Sequence, residues 1–293
     1  MASSFDMGQA APQRSFRDPA PRRRRDEHSH ARPEGGVGRS LAGLIESEII
    51  PRLMVAHPVE PDSTASEPRI QQADIDALAQ MVIASEADDL LGFVERLLAR
   101  GIAVEDVLVG LLAPAARVLG EGWTDDRVDF VEVTMGLWRL QEVVHELATR
   151  SPLTRQVRAS RRALFAPMPG EQHGFGAIVI EEVFAREGWA TERLAAPRTA
   201  DIVDRIAGEW FDLVGLTVSC DANTGALPSV IAAMRSVSRN PRLRVMVGGR
   251  VFVEDPALAA RVGADGTARD ALVATSVAAE LVDAAEREAL LPA

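Results

Sequence analysis

Three short clusters of residues in this sequence are of the types that can surround a bound ligand. Residues 171–176 (EQHGFG) offer a carboxylate, a histidine and two glycines, residues 217–219 (TVS) offer two hydroxyls, and residues 248–249 are paired glycines. A neutral imidazole can coordinate a metal ion, and glycines let a ligand approach the backbone closely. Each cluster alone has a simpler interpretation, since loop histidines are mostly surface or structural residues and paired glycines after a strand usually form a turn. Their meaning depends on whether the fold brings them together.

Each cluster follows a short apolar run of the kind that forms a buried strand. Between residues 161 and 290 such runs alternate with amphipathic helical patterns, which predicts a parallel sheet with helices on both faces. We predict strands at Ala163–Met168, Thr191–Leu194, Asp212–Ser219 and Arg244–Gly248, and helices over 174–187, 200–209, 225–238, 256–262 and 270–286. In such sheets ligands bind beyond the carboxyl ends of the strands. The three clusters are therefore expected to converge at one edge of the sheet.

A helical region is predicted ahead of the sheet. Four amphipathic patterns, over residues 70–84, 86–100, 103–119 and 128–149, are joined by short loops and predict an antiparallel bundle over 70–150. The preceding residues 40–69 are predicted to form a helix and a polar linker. Residues 1–39, rich in Pro, Gly, Ser and Arg, are predicted to be disordered. We assign no site to the arginine run at 22–25, whose simplest interpretation is a solvated tail.

The three clusters, in this order and spacing, resemble the cobalamin-binding domain shared by methionine synthase, corrinoid shuttle proteins and B12-dependent regulators. That family carries Asp-x-His-x-x-Gly, then Ser-x-Leu or Ser-x-Thr about forty residues on, then Gly-Gly. Here Glu171 replaces the Asp and Thr217 replaces the Ser, while Gly248-Gly249 is intact. The resemblance covers residues 161–290 and implies a flavodoxin-like (Rossmann-type) fold. A phosphate-binding flavodoxin-like or receiver domain is the alternative, but a receiver needs acidic residues after its first strand, and residues 165–168 (FAPM) offer none.

The resemblance implies a role for each residue of the clusters. His173 is expected to be the protein ligand to cobalt and to displace the benzimidazole base of cobalamin, whose tail then enters a slot beside the sheet. Glu171, two residues upstream on an extended backbone, can accept a hydrogen bond from the second ring nitrogen. The remaining cofactor-binding residues implied by the resemblance are the glycines that line the slot and the hydroxyls that face the tail: Gly174, Gly176, Gly248, Gly249, Thr217 and Ser219.

The bundle is expected to cover the upper face of the cobalt, since B12 proteins place a helical cap there. Trp123, after Gly120-Glu121-Gly122, resembles the tryptophan of that cap, although a core tryptophan is about as good an interpretation. Photoreceptor repressors of this group carry Glu-His at the positions occupied here by Val133 and Thr134, so adenosyl-specific recognition is in doubt. His145 lies about three turns further along the same helix and is interpreted as a core-edge or surface residue.

Residues 41–57, and above all 48–54 (EIIPRLM), resemble the N-terminal segment of the AerR/PpaA antirepressors of purple photosynthetic bacteria. That resemblance implies a light-responsive, cobalamin-binding regulator that is not an enzyme. Its partner would be a CrtJ/PpsR-type repressor of photosystem genes, bound by protein–protein contact, with DNA reached only indirectly. Two alternatives stay open: a corrinoid subunit that carries methyl groups between methyltransferases, and a degenerate domain that binds only a protein partner.

Composition agrees with a regulator that does not hold DNA by itself. The formal net charge of −11 argues against broad affinity for a phosphate backbone. The one cysteine, Cys220, excludes an internal disulfide framework and fits a reducing compartment. No apolar stretch is long enough to cross a membrane, and the polar, Arg-rich N-terminus lacks the apolar core of a secretory signal. The sequence therefore predicts a cytoplasmic protein; it leaves the oligomeric state open.

Overall fold

The computed structural model describes residues 69–150 and 161–290. The head predicted at 1–39 and nearly all of the helix and linker predicted at 40–69 lie outside the described residues. The described part contains the two predicted regions, a set of helices and then a sheet flanked by helices. None of the described helices is long and apolar enough to cross a membrane.

The first region is a bundle of helices joined by short loops. Its elements are α1 (Gln72–Ala84), α2 (Ala87–Ala99), α3 (Val104–Val107), a π-helical turn (Leu108–Leu112), α4 (Ala113–Thr124) and α5 (Phe130–Arg150). The π-helical turn ends two residues before Pro114, which has no N–H for the carbonyl of Gly110, and a wider turn accommodates that loss.

The third predicted helix runs further than expected. The sequence predicts a break over residues 120–127, but α4 continues to Thr124, so the segment before Trp123 is helical. Gly122, inside this segment, serves packing: it is buried, and a Cβ there would stand 2.7 Å from Cγ2 of Val128. Helix α5 begins with a reciprocal cap, in which the backbone N–H of Asp129 and Glu132 each donate to the other's carboxylate.

The second region is a five-stranded parallel sheet in the order β2-β1-β3-β4-β5, the flavodoxin-like order. The strands are β1 (Arg162–Pro167), β2 (Ala190–Arg193), β3 (Leu213–Thr217), β4 (Arg244–Gly248) and β5 (Gly266–Thr267). The helices are α6 (Phe175–Arg186), α7 (Thr199–Gly208), α8 (Leu227–Val237), α9 (Arg250–Glu254), α10 (Leu258–Arg261) and α11 (Ala271–Leu290), with a 3-10 helix at Asp221–Ala226. The predicted fold class is confirmed. The fifth strand, the 3-10 helix and α9 are additions to the predicted elements.

The bundle packs on helix α6 of the sheet domain. Phe175, Val179 and Val183 of α6 belong to the same apolar cluster as the buried residues of the bundle. At the far end of α6, Nη2 of Arg186 donates to the carbonyl of Leu147 over 3.2 Å. Since α6 begins directly after the loop that carries His173, this packing fixes the loop's downstream end against the bundle.

Candidate functional site

The loop between β1 and α6 carries the first cluster and is anchored to the sheet. The N–H of Met168 donates to the carbonyl of Thr217 on β3, and the N–H of Glu171 donates back to the carbonyl of Met168. Gly170, between them, has φ +87°, a conformation that favours glycine. The loop therefore makes a tight turn at the strand end and presents Glu171 and His173 at the carboxyl edge of the sheet.

Glu171 holds the ring of His173 in the expected way. Oε1 of Glu171 lies 2.5 Å from Nδ1 of His173 and also accepts the backbone N–H of Gln172 and of His173. Burial alone would raise the pKa of the Glu171 carboxyl. The hydrogen bonds from His173, Ser219 and Cys220 outweigh burial and lower the pKa to about 2. The carboxylate is therefore ionised at neutral pH and acts only as an acceptor, so Nδ1 of His173 is the donor of this pair and Nε2 is the ring atom left for a metal.

The other oxygen of this carboxylate binds the backbone just after strand β3, a contact that the residue types alone did not reveal. Oε2 of Glu171 accepts the backbone N–H of Ser219 over 2.8 Å and that of Cys220 over 3.1 Å. The Glu171 side chain is only 1% exposed, whereas that of His173 is 60% exposed. The imidazole is thus held by a buried anchor while its free edge faces outward.

A row of small or hydroxyl-bearing residues ends the three strands beside this loop. Thr217 on β3 is in register with Gly248 on β4, and Thr267 on β5 is in register with the neighbouring Val247. Oγ1 of Thr217 and Oγ1 of Thr267 are both buried and have no hydrogen-bond partner. Buried hydroxyls are normally satisfied, so the orphan hydroxyl of Thr217, in register with Gly248, indicates a place where a polar ligand completes it. The side chain of Thr267, in register with Val247, points to the opposite face of the sheet.

The predicted glycines divide into two kinds. A Cβ built at Gly174, Gly176 or Gly248 would meet no atom within 4 Å, so open space lies beside each of them. Gly249 is different: its φ is +110°, and a Cβ there would stand 2.1 Å from the carbonyl oxygen of Val218. The absence of a side chain at Gly249 makes room for the backbone just after β3, while Gly248 borders open space. That Gly249 also lines the slot stays a prediction.

Arg250, directly after the paired glycines, is a further residue that the sequence analysis did not single out. Its Nη2 donates to the carbonyl of Ser219 over 3.1 Å, and its Nη1 pairs with Glu254 at 2.8 Å. The sequence signal that could have identified Arg250 is its place as a cationic residue directly after a Gly-Gly pair at the end of a strand. The contact places a positive charge at the edge where β3 and β4 end.

The predicted cap residues lie on the bundle and are not joined to the histidine loop by any hydrogen bond or ring contact among the described residues. Trp123 stands at the end of α4 with 44% of its surface exposed, so it is not the core tryptophan of the alternative interpretation. Thr134 is exposed and donates its hydroxyl to the carbonyl of Phe130 over 2.7 Å. His145 is exposed, as predicted. The placement of Trp123 over an upper ligand stays a prediction.

The residues present fit a corrin-bound cobalt. Within residues 69–150 and 161–290, no group of three or more His, Cys, Asp or Glu side chains could hold a metal ion by itself. A metal already held by a macrocycle asks for a single protein ligand, and Nε2 of His173 supplies one. The open space beside Gly248 and the unpaired hydroxyl of Thr217, which is in register with it, suit a polar tail that enters beside the sheet.

The low pKa of Glu171 predicts how the stability of the folded protein depends on pH. A carboxyl whose pKa falls from an ordinary 4.5 to about 2 on folding contributes stability that is present above about pH 4.5. That contribution is lost as the pH falls from 4.5 towards 2. We expect Glu171→Gln to be less stable than the parent at pH 7, with a gap that narrows on acidification. Urea unfolding at several pH values between 7 and 3 measures the gap; a gap that stays constant or widens in acid would contradict the assigned hydrogen bonds.

Comparisons with known proteins agree with this geometry. Residues 161–276 match a family model described as a B12 binding domain, and residues 74–147 match a second model with the same description. An uncharacterized 20.5 kDa protein in the bchF-crtJ intergenic region of Rhodobacter capsulatus is 29% identical over 171 residues, covering 58% of this chain and 88% of that protein.

Solved structures that resemble the chain include two corrinoid or cobalamin-binding proteins. The monomethylamine corrinoid protein of Methanosarcina barkeri has a TM-score of 0.60 and 17% identity, covering 72% of this chain and all of that one. A cobalamin-binding protein of Desulfitobacterium hafniense has a TM-score of 0.40 and 16% identity, covering 71% of this chain and 98% of that one. At such identity the first of these likenesses shows a shared fold.

Proposed function

This chain belongs to the B12-binding domain family and binds cobalamin, and on that premise we propose that it is a light-responsive transcription regulator rather than an enzyme. In the proposal it acts as an antirepressor, by direct contact with a CrtJ/PpsR-type repressor, and touches DNA only through that partner. The main support for cobalamin binding is the contact between Glu171 and His173. It leaves Nε2 of His173 for a metal, at the carboxyl edge of the sheet, where Gly248 borders open space.

Cobalamin would supply a cobalt–carbon bond that light can break. The chain's own residues do the rest. His173 would be the protein ligand to the cobalt, and Glu171 keeps its ring oriented. Thr217 and Ser219 would offer hydroxyls to the tail, while Gly248 leaves the room it needs. Cofactor binding could shift the shape of the bundle only by as much as the two shapes differ in affinity for the cofactor.

Two observations support the regulatory part. The similar protein from Rhodobacter capsulatus is encoded between bchF and crtJ, beside the gene whose product the AerR/PpaA resemblance implies as the partner. The bundle also exposes large apolar side chains, among them Phe130 at 69% and Trp138 at 54%. Exposed apolar surface of this kind is typical of a protein that has a partner.

The proposal is tested by measuring binding to a purified CrtJ/PpsR-type repressor. The protein is loaded with hydroxo-, methyl- or adenosylcobalamin, and the affinity is measured in the dark and after illumination. We expect the affinity for the repressor to depend on the cofactor and on light. The same preparations, reduced and supplied with a methyl donor and acceptor, should show no methyl transfer.

Other outcomes distinguish the rival functions. Methyl-transfer turnover with methyltransferase partners would favour a corrinoid carrier and contradict the regulatory proposal. An affinity for the repressor that does not change with cofactor or with light would favour a domain that only binds a partner. That result would contradict the sensory role. Absence of visible absorbance after incubation with each cobalamin would contradict the cofactor part itself.

A further inference from the structure

The chain that follows strand β3 connects the loop of His173 to the turn after β4. On one side, Oε2 of Glu171 accepts the backbone N–H of Ser219 and that of Cys220. On the other side, Nη2 of Arg250 donates to the carbonyl oxygen of Ser219 over 3.1 Å. The carbonyl of Ser219 and the N–H of Cys220 belong to one peptide group. That peptide group therefore lies between a cation and an anion.

A peptide group held in this way is polarised. The guanidinium stabilises the partial negative charge of the carbonyl oxygen, and the carboxylate stabilises the partial positive charge of the N–H. Hydrogen bonds that follow one another in a chain strengthen each other for this reason. The side chain of Arg250 is 53% exposed, but that of Glu171 is only 1% exposed. The charge of Arg250 therefore acts, through one peptide group, on a carboxylate that is shielded from water.

The other contacts of Arg250 keep its guanidinium beside this carbonyl. Nη1 donates to both carboxylate oxygens of Glu254, at 2.8 and 2.9 Å, one turn further along α9. Nη2 also lies 3.4 Å from Oδ2 of Asp221, at the start of the 3-10 helix. The backbone is held at the same place, because the N–H of Val218 donates to the carbonyl of Gly248 over 2.8 Å. The turn after β4 thus fixes both the chain after β3 and the cation that bonds to it.

We propose that Arg250 is a positioning residue for the cobalt ligand His173. It holds the peptide group between Ser219 and Cys220 against Glu171, and Glu171 in turn orients the imidazole. The inference rests on the proposed function, in which His173 binds the cobalt, and it adds a residue from the β4 side of the site. Groups that hold the partner of a metal ligand set the direction in which that ligand points. Loss of the charge at Arg250 should therefore weaken the bond from His173 to cobalt.

The test is the affinity of Arg250 variants for hydroxocobalamin, followed by absorbance. Arg250→Met removes the charge and should weaken binding about tenfold, the lower end of the range for loss of a residue that orients a metal ligand. Arg250→Lys keeps a cation for the carbonyl of Ser219 and should bind within about threefold of the parent. The control is Glu254→Gln, which removes the ion pair on α9 but leaves the bond from Arg250 to Ser219, and it should bind as the parent does.

Two further measurements separate positioning from a general effect on the fold. In Glu171→Gln the peptide group no longer faces an anion, so adding Arg250→Met there should weaken binding by less than about threefold. Residues that act through unrelated contacts would show the same loss in both backgrounds. Electron paramagnetic resonance of the Co(II) form gives the second measurement. At saturating cobalamin, histidine-bound cobalt should make up a smaller fraction of the signal in Arg250→Met than in the parent and in Arg250→Lys.

The outcomes distinguish this inference from the proposed function. Absence of histidine-bound cobalt in the parent protein would contradict the role of His173, and this inference with it. A parent with histidine-bound cobalt, together with an Arg250→Met variant that has the same affinity and the same signal, would overturn the role of Arg250 alone. An equal loss from Arg250→Met in the parent and in Glu171→Gln would also overturn it, because Arg250 would then not act through Glu171.

Discussion

His173→Ala should bind cobalamin at least about a hundredfold more weakly than the parent protein. Loss of a residue that only orients a metal ligand typically costs 10–100-fold in affinity, and His173 is the ligand itself. Its side chain is 60% exposed and its ring bonds only to Glu171, so removal of the ring leaves the fold intact. Titration of each protein with hydroxocobalamin, followed by absorbance, measures the change.

Two controls sharpen that result. His145→Ala removes an exposed histidine from the bundle and should leave the affinity unchanged. Glu171→Gln keeps a side chain of the same length but an uncharged one, so it should fall between the parent and His173→Ala. Equal affinity of the parent and His173→Ala would show that another group holds the cobalt.

Gly249→Ala should lower the free energy of unfolding by at least about 3 kcal/mol, because backbone strain and a clash with the main chain add together. The residue has φ +110°, and its new Cβ would stand 2.1 Å from the carbonyl oxygen of Val218. That carbonyl belongs to the backbone and cannot turn aside as a flexible side chain does. For a domain of this size the expected loss corresponds to a fall in Tm of roughly 10 °C.

The neighbouring glycine provides the matched control. Gly248→Ala adds the same methyl group one residue earlier, where no atom lies within 4 Å, and should change the unfolding free energy by less than about 1 kcal/mol. Its effect should appear instead as weaker cobalamin binding, because the methyl group enters the space assigned to the tail. Equal stability of the two variants would contradict the close approach of Val218 to Gly249.

Much of the fold was predictable because its signals are local. Alternating apolar runs and helical patterns located four of the five strands, and the parallel order then follows from the long helical connections between them. The spacing of Glu171 and His173 predicted their hydrogen bond, since alternate residues on an extended backbone point the same way.

Features that depend on long-range contacts were not predictable. The hydrogen bonds from Ser219 and Cys220 to Glu171 use backbone N–H groups. Every residue except proline has such a group, so the residue types could not predict these bonds. The close approach of Val218 to Gly249 could not be predicted, because a sequence shows that a side chain is missing but not which neighbour fills the space. Strand β5 was missed because two residues are too few to show a strand pattern.

Electron paramagnetic resonance of the protein loaded with cobalamin in the Co(II) form shows whether His173 holds the cobalt. The unpaired electron couples to the axial nitrogen, so the splitting reports which nitrogen is bound. Protein labelled with nitrogen-15 in its histidines should change the splitting from triplets to doublets, and His173→Ala should abolish the histidine signal. A triplet pattern that survives labelling would mean that the cofactor's own benzimidazole, and not His173, holds the cobalt, and the account of this site would then be wrong.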